Sequence, residues 1–490
     1  MKRELGLKKL TAMFLTVAMV LSLAACGNTG SDGGNSTSRA DSAGNSSSAD
    51  SSGSASTDNS GGSDGGYKQY DGKIVLWTLA KDLQQFADRY REETGNEVEV
   101  VVFDSADFKT KIMQTLGAKS KDVDVFVGEP QMLPDFYEAG FCADLSALDN
   151  EVKTRLVEYT YEAGCDSDGV LRAISYQACP GSVIYRRDLA QEVFGTDDPE
   201  EIGKLFASFD TIEETARTLQ SKGYTIFGDT GALRWFSISS NPWVRDGEII
   251  VDQDRLDYFD CAVNLYQNKQ VANATEWSAP WYASMAGPLP VLDADADVWG
   301  MDKDQLMSDA AGGGAGTTQV FSYVMPSWGA LIVRDNAEGN KGKFGICSGV
   351  CSFFGGGTFL TVNEYSQNKE AAQQFIEYCT LNDDTAQWWL KESNGDVVSS
   401  KAVLEANKDY QNESFGNQNT YGFYAQEMEK IDYSLITGYD DACKDAFGSA
   451  IMSVQKGEQT KEEALKEFYT VVLSTYPELS VPADAPVTLD

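Results

Sequence analysis

Cys347 and Cys351, four residues apart, and the alternating aspartates Asp293, Asp295 and Asp297 are the places where residue type and spacing could hold a metal ion. A tetrahedral zinc site needs a further close pair of Cys or His, and none accompanies the two cysteines. The aspartate run departs from the calcium-loop pattern, which wants Gly at its sixth position for a sharp turn and Glu at its twelfth; Val298 and Asp304 stand there. A solvated loop is the expectation. Gly312–Gly316 has the glycines of a phosphate cradle but lacks the Lys-Ser/Thr ending. His is absent from all 490 residues, which removes Ser-His-Asp and Cys-His nucleophiles and His proton shuttles. Two kinds of chemistry survive. With 75 Asp and Glu a carboxylate pair could hydrolyse glycosidic bonds, while 9 Trp, 22 Tyr and 23 Phe supply planes for holding a ligand without reacting with it. No metal and no cofactor are expected.

Cys26 is a different matter. Lys2, Arg3, Lys8 and Lys9 precede an uncharged run from Leu10 to Ala25, the basic-then-apolar layout of a secretory signal. The run is too short and too weak for a membrane span, which needs about 20 predominantly apolar residues. It closes Leu23-Ala24-Ala25-Cys26-Gly27, which resembles the bacterial lipobox, where the Cys sulfur takes a diacylglyceryl group and becomes the first mature residue. Two acyl chains hold a protein stably where one does not. The chain is therefore expected on the extracellular face of the cell membrane, anchored by lipid at Cys26.

From Gly27 to Gly66 the chain is Gly, Ser, Asp, Asn, Thr and Ala with one Arg, offering nothing to bury. Such a tether has a root-mean-square reach of roughly 35 Å as a random coil. The formal charge of −36 makes nucleic acid and anionic lipid surfaces poor partners.

Beyond the tether the hydrophobic period alternates. Lys73–Leu79, Glu97–Phe103 and Asp122–Val127 read as strands. Leu83, Phe86, Ala87 and Tyr90 recur at helical spacing up to Gly95, and Phe108, Ile112 and Leu116 do so after the second strand. This is the βαβ rhythm of a parallel sheet. Further on, Val183–Tyr185, Trp328–Val333 and Phe359–Val362 read as strands, and Ile212–Leu219 and Asn368–Cys379 as helices. Thr460 with Glu463 makes a capping box for a last helix. Residues 67–490 are too many for one core, so two α/β lobes are expected.

In this order the segments resemble the extracellular solute-binding proteins of ABC import systems, in particular the maltose-binding-like, carbohydrate-binding group of family 1. Ile74-Val-Leu-Trp77, the helix ending Glu93-Thr-Gly95 and the strand Val98–Val102 look like the group's opening. Asp122–Val127 and Gly140-Phe-Cys-Ala-Asp-Leu145 look like its third strand and the motif after it. Ala173–Tyr176 with Ile184–Leu189 matches the crossing into the second lobe, Phe354–Asn363 with Lys369–Ile376 the return, and Gly457-x-x-Thr460-x-x-x-Ala464 the last helix start. Phe354 stands where related receptors often carry Trp or Tyr.

The resemblance implies a two-lobed periplasmic-binding-protein-like fold of type II, an α/β architecture with the ligand cleft between the lobes. It divides the chain into a signal peptide (1–25), lipidated Cys and linker (26–66), lobe 1 (67–178 with 356–392) and lobe 2 (179–355 with 393–490). It implies a monomer that captures a sugar or oligosaccharide by hinge closure near Tyr176 and Gly355–Gly357 and delivers it to an ABC transporter permease. Ligands of open parallel sheets lie beyond the strands' carboxyl ends, which favours Thr78, Asp104, Ser105, Glu129 and Gln131. Trp235, Trp281 with Tyr282, and Trp328 are the expected contributions of the other lobe, and Trp328 matches a tryptophan that stacks on sugar in the resembled group. Tyr176, Phe354 and Gly357 complete the expected site, and Trp77, closing an apolar run, is expected in the core. A receptor for a non-sugar solute, a surface-anchored glycoside hydrolase and a polysaccharide-binding module remain open alternatives.

Overall fold

The computed structural model describes residues 66–237, 240–312 and 316–489; Cys26, the signal segment and the tether lie outside the described residues. β1 (Lys73–Thr78), α1 (Leu83–Thr94), β2 (Glu97–Val102), α2 (Ser105–Gly117) and β3 (Val125–Gly128) follow in the expected alternation. α1 buries Leu83, Phe86, Ala87 and Tyr90, and stops where Gly95 turns left-handed (φ 76°) and its N–H donates to the Arg91 carbonyl. β1 pairs parallel with β2 on one side and β3 on the other, and every residue of β3 is buried. β2, on the sheet's edge, is half exposed.

The short β4 (Ile174–Ser175) leads across to β5 (Gly181–Arg186), buried throughout. α3 (Phe209–Gln220), α4 (Gln253–Gln267) and α5 (Ala279–Ala286) precede β6 (Ser322–Pro326). β6 and, after α6 (Ser327–Asn336), β7 (Phe344–Cys347) flank β5 antiparallel in a second sheet. Alternation along these strands splits the second sheet's faces. Val183, Tyr185 and Val324 join the core built by α3 and α4, whereas Ile184, Tyr323 and Met325 join the core that continues to the first sheet.

β8 (Phe359–Val362) returns to the first sheet, antiparallel between β3 and β4, giving the order β2-β1-β3-β8-β4. α7 (Lys369–Thr380) buries Ala371, Ala372, Phe375, Ile376 and Cys379, the face read from sequence. α8 (Asp383–Glu392), α9 (Thr420–Met428), α10 (Asp440–Gln455) and α11 (Lys461–Thr475) complete the chain. The expected capping box opens α11: the Thr460 N–H donates to Glu463 at 2.9 Å and the Glu463 N–H to the Thr460 hydroxyl at 3.3 Å.

Trp328–Val333 is a correction, since it is the body of helix α6 and not a strand. The strand lies just before it and ends at Pro326, whose extended backbone caps the helix. The helix buries Gly329, Ala330 and Val333 along one stripe. A short apolar run reads the same either way until its period is fixed by neighbours.

The ends of the described chain are fastened to different halves. Tyr67 packs edge-on against Tyr90 and Tyr378, Asn382 donates to its hydroxyl at 2.6 Å, and Lys68 pairs with Glu370. These contacts lie by the N-terminal ends of β1 and β2. At the other terminus Ser480 donates to the Gly247 carbonyl at 2.8 Å, and Leu479 and Val487 sit in the α3–α4 core. The eight described cysteines are all free thiols, Cys165 and Cys351 half-buried and the others buried.

Candidate ligand-binding cleft

Where β1 ends, buried Thr78 accepts a hydrogen bond from the Ala80 N–H at 2.9 Å and turns the chain toward Asp82 at the start of α1. The Tyr176 hydroxyl donates to Asp82. Burial holds the Asp82 carboxyl above its usual range, with Tyr176 pulling the other way. Where β3 ends, Gly128 allows a tight turn: a Cβ there would lie 2.6 Å from Leu133 Cδ2. The turn presents Glu129, which accepts from Gln131 Nε2 at 2.7 Å. Burial raises its carboxyl too, opposed by that hydrogen bond and reinforced by Asp441. Asp104, which follows edge strand β2, is exposed at the start of α2 and makes no side-chain cap. Trp77 is half-buried against Phe103, 4.7 Å between centroids.

Three segments cross between the sheets and are bonded to one another. Gln177 bridges Val398, and Pro180 bridges Phe354. Gln177 Nε2 donates to Asp396 at 2.6 Å, its Oε1 accepts from the Thr358 N–H at 3.3 Å, and Trp389 Nε1 donates to the same Asp396 oxygen at 2.9 Å. Burial lifts the Asp396 carboxyl to about 6, against those two donors. The backbone is left-handed here at Cys179 (φ 53°), Gly356 (φ 70°) and Gly357 (φ 100°). A Cβ on Gly357 would rest 3.6 Å from Cys179 Sγ. Phe354 is only 9% exposed and packs beside Tyr159 and Tyr433.

The second sheet contributes aromatics. Trp328, in the first turn of α6, donates from Nε1 to the Gly355 carbonyl at 2.9 Å. A Cβ built on Gly356 would stand 3.3 Å from that Nε1 and 3.9 Å from Glu129 Oε1, so indole and carboxylate both border the same left-handed glycine. Trp235 lies in the 3-10 turn Thr230–Phe236, stacked on Phe353 (5.4 Å, 18°) with the Arg234 guanidinium 4.7 Å from its ring centre. It fills the space beside Gly355, where a Cβ would come within 2.1 Å of Cζ3. Trp281 is 4% exposed and lies beneath Trp277, 5.2 Å away. Arg234 grips both carboxylate oxygens of Glu276, at 2.5 and 2.9 Å, and the Glu276 N–H donates to Asp229 at 3.1 Å. Burial and then Glu276 raise the Asp229 carboxyl to about 6. Gln131, Arg234, Trp235, Phe354, Gly356 and Asp441 border a cavity of about 290 Å³.

The model of the bacterial extracellular solute-binding protein family matches residues 85–414. The chain belongs to that family. Sequence comparison with curated proteins finds no significant match. Among solved structures, an extracellular solute-binding protein of family 1 aligns with a TM-score of 0.65 at 16% identity, over 82% of this chain and 99% of that one. The ABC transporter associated binding protein from B. animalis subsp. lactis, in complex with β-1,6-galactobiose, aligns with a TM-score of 0.63 at 19% identity, over 83% of this chain and 98% of that one. The GacH receptor of Streptomyces glaucescens, solved unliganded and with acarbose, gives 0.61 at 16%, over 84% and 100%. These likenesses establish the two-lobed fold.

In this solute-binding protein, then, Trp328, Glu129, Trp235, Phe354, Tyr176 and Gly357 gather around the crossing segments, while Asp104 is exposed after edge strand β2 and Trp281 is buried against Trp277. Sequence reasoning passed over Trp277, Asp82 and the Asp229–Arg234–Glu276 cluster. Trp277 stands four residues before Trp281 and could have been weighed with it; the ion pair joins segments 42 residues apart and left no local signal. Among the described residues no group of three or more Cys, Asp or Glu could hold a metal, and the Asp293–Asp297 side chains are exposed. No described helix is long and apolar enough to cross a membrane.

Proposed function

We propose that the protein is a monomeric receptor, anchored by lipid at Cys26 on the outer face of the cell membrane, that captures a carbohydrate and delivers it to an ABC transporter permease. The lobes are residues 67–178 with 356–392, and 179–355 with 393–490. The observation that carries the reading is that Trp328 and Glu129 both border Gly356, each within 4 Å of where its Cβ would stand: a flat apolar ring suits the C–H face of a sugar, and a nearby carboxylate accepts from hydroxyls. Binding of galactobiose and acarbose by proteins of the same fold supports the ligand class. Closure about the crossing segments would bury the ligand, and the closed form is favoured by whatever the sugar touches there and not in the open form. No bond is made or broken, so the protein is not an enzyme.

A thermal-shift screen of the whole chain in mild detergent, against sugars, amino acids, polyamines and phosphate esters, tests this. A large shift with sugars alone, and recovery of the sugar unchanged, is expected. Cleaved product would replace the receptor reading with a hydrolase, and no shift with any sugar would remove the carbohydrate assignment. Cys26→Ser should move the protein from the membrane fraction to the medium; retention on the membrane would refute the anchor.

A further inference from the structure

Two segments lie side by side ahead of the cleft, residues 225–229 and 271–277. Phe227 and Val271 bridge in parallel, the Ala274 N–H donates to the Gly228 carbonyl at 2.9 Å, and a Cβ on Gly228 would stand 2.8 Å from the Ala274 carbonyl oxygen. Where they end, three charged side chains close the pair. Asp229 accepts from the Gly231 N–H at 2.8 Å and from the Glu276 N–H at 3.1 Å. Arg234 holds the Glu276 carboxylate with both arms, at 2.5 and 2.9 Å, and donates to the Gly231 carbonyl at 3.0 Å. The Glu276 side chain is only 11% exposed. A charge pair so placed gives little net stability, because desolvation offsets the attraction, and an apolar filling would serve the core as well. Trp277, the next residue, adds backbone strain at the same turn (φ 73°), and the side chain it presents stays 42% exposed. Buried charge and strain together suit a turn shaped for a task other than folding.

Arg234 connects both aromatics that border the cleft. Its guanidinium lies 4.7 Å from the ring centre of Trp235. Through Glu276 it fixes the turn that carries Trp277, whose ring runs nearly parallel to that of Trp328 (18°, 6.0 Å between centroids). Lys would carry the same charge but could not hold both carboxylate oxygens in one plane. We propose that Arg234 is a positioning residue for ligand capture, whose two-armed hold on Glu276 sets Trp235 and Trp328 in one arrangement before the ligand arrives. Side chains fixed beforehand need no ordering on binding. The proposal rests on the carbohydrate reading above.

The test is isothermal titration of the whole chain in mild detergent with β-1,6-galactobiose, maltotriose, xylobiose and mannobiose, using wild type, Arg234→Lys, Glu276→Gln and the double variant where urea titration shows each to be folded. For the sugar that the wild type binds, each single variant should lose about tenfold in affinity, from the ordering of aromatic side chains on binding. The double variant should also lose about tenfold, and not about a hundredfold, since both changes break the same hold. Additive losses would mean that Arg234 acts by direct contact with the sugar, and unchanged affinity with a lowered melting temperature would mean that the cluster serves stability alone; either overturns the positioning role. Near-UV circular dichroism of the ligand-free protein reads the indole arrangement without any sugar. It should change in the same way in all three variants, and spectra that superimpose on the wild type overturn the proposal. A wild type that binds none of these sugars removes the carbohydrate reading and leaves the spectra to decide the positioning of the rings. Glu276→Gln keeps Arg234 intact and serves where the lysine variant fails to fold.

Discussion

The indole N–H of Trp328 donates to the carbonyl of Gly355 at 2.9 Å, tying the first turn of α6 to the segment that carries the chain back to the first sheet. The best candidate for a stacking residue is thus bonded to the crossing about which the lobes would move.

Truncating Trp328 should therefore affect ligand capture more than folding. The side chain is half-buried, and Trp328→Ala should weaken sugar affinity at least about tenfold, the loss of one aromatic contact. The apo melting temperature should fall by no more than a few degrees. A collapse of apo stability would show instead that Trp328 is a core residue.

Gly355 is packed against Trp235 so closely that a methyl group has no room. Gly355→Ala should cost about 1–3 kcal/mol, the usual penalty of overpacking. Gly448 offers the contrast, because it lies inside α10 with nothing within 4 Å of a Cβ. Gly448→Ala should stabilise by up to about 1 kcal/mol through helix propensity. Urea unfolding of both variants checks the pair, and equal effects would contradict the packing described.

Buried Asp396 gives stability a definite pH dependence. Its carboxyl ionises near 6 in the folded chain and in the ordinary range when unfolded. Its contribution is fully present below about pH 4 and is lost as pH rises through about 6, a change of about 3 kcal/mol for a shift of this size. Asp396→Asn remains neutral throughout. The stability difference between variant and wild type should move in the variant's favour by about that amount between pH 4 and pH 7, and parallel urea curves across the range would rule the assignment out.

Thr460→Ala removes one half of the capping box of α11 and should cost about 1 kcal/mol without changing sugar affinity. A change in affinity would mean that the last helix communicates with the cleft.

The first βαβαβ unit was legible from the sequence because each element carries its own period: Leu83, Phe86, Ala87 and Tyr90 mark a helix wherever they are met. Trp328–Val333 lacked such a mark, and Pro326 alone hinted that the strand had already ended. The site was legible only in part. Asp104 and Glu129 were equivalent as residues following strands, and the fold sets them in different surroundings: β2 is the sheet's edge, whereas β3 lies beside returning β8. Sequence does not reveal that order. Nor does it reveal Trp277, exposed on a left-handed backbone next to an ion pair between distant segments.

The attachment of the two chain ends has a use of its own. Tyr67 and Lys68 are fixed to helices of the first sheet, and Leu479 and Val487 to the core of the second. A fluorophore placed at each end would therefore ride on a different half, and energy transfer between the two dyes would serve as a ruler for the angle between them. One molecule watched in this way would register each arrival and departure of a sugar as a step in colour, without any label near the cleft.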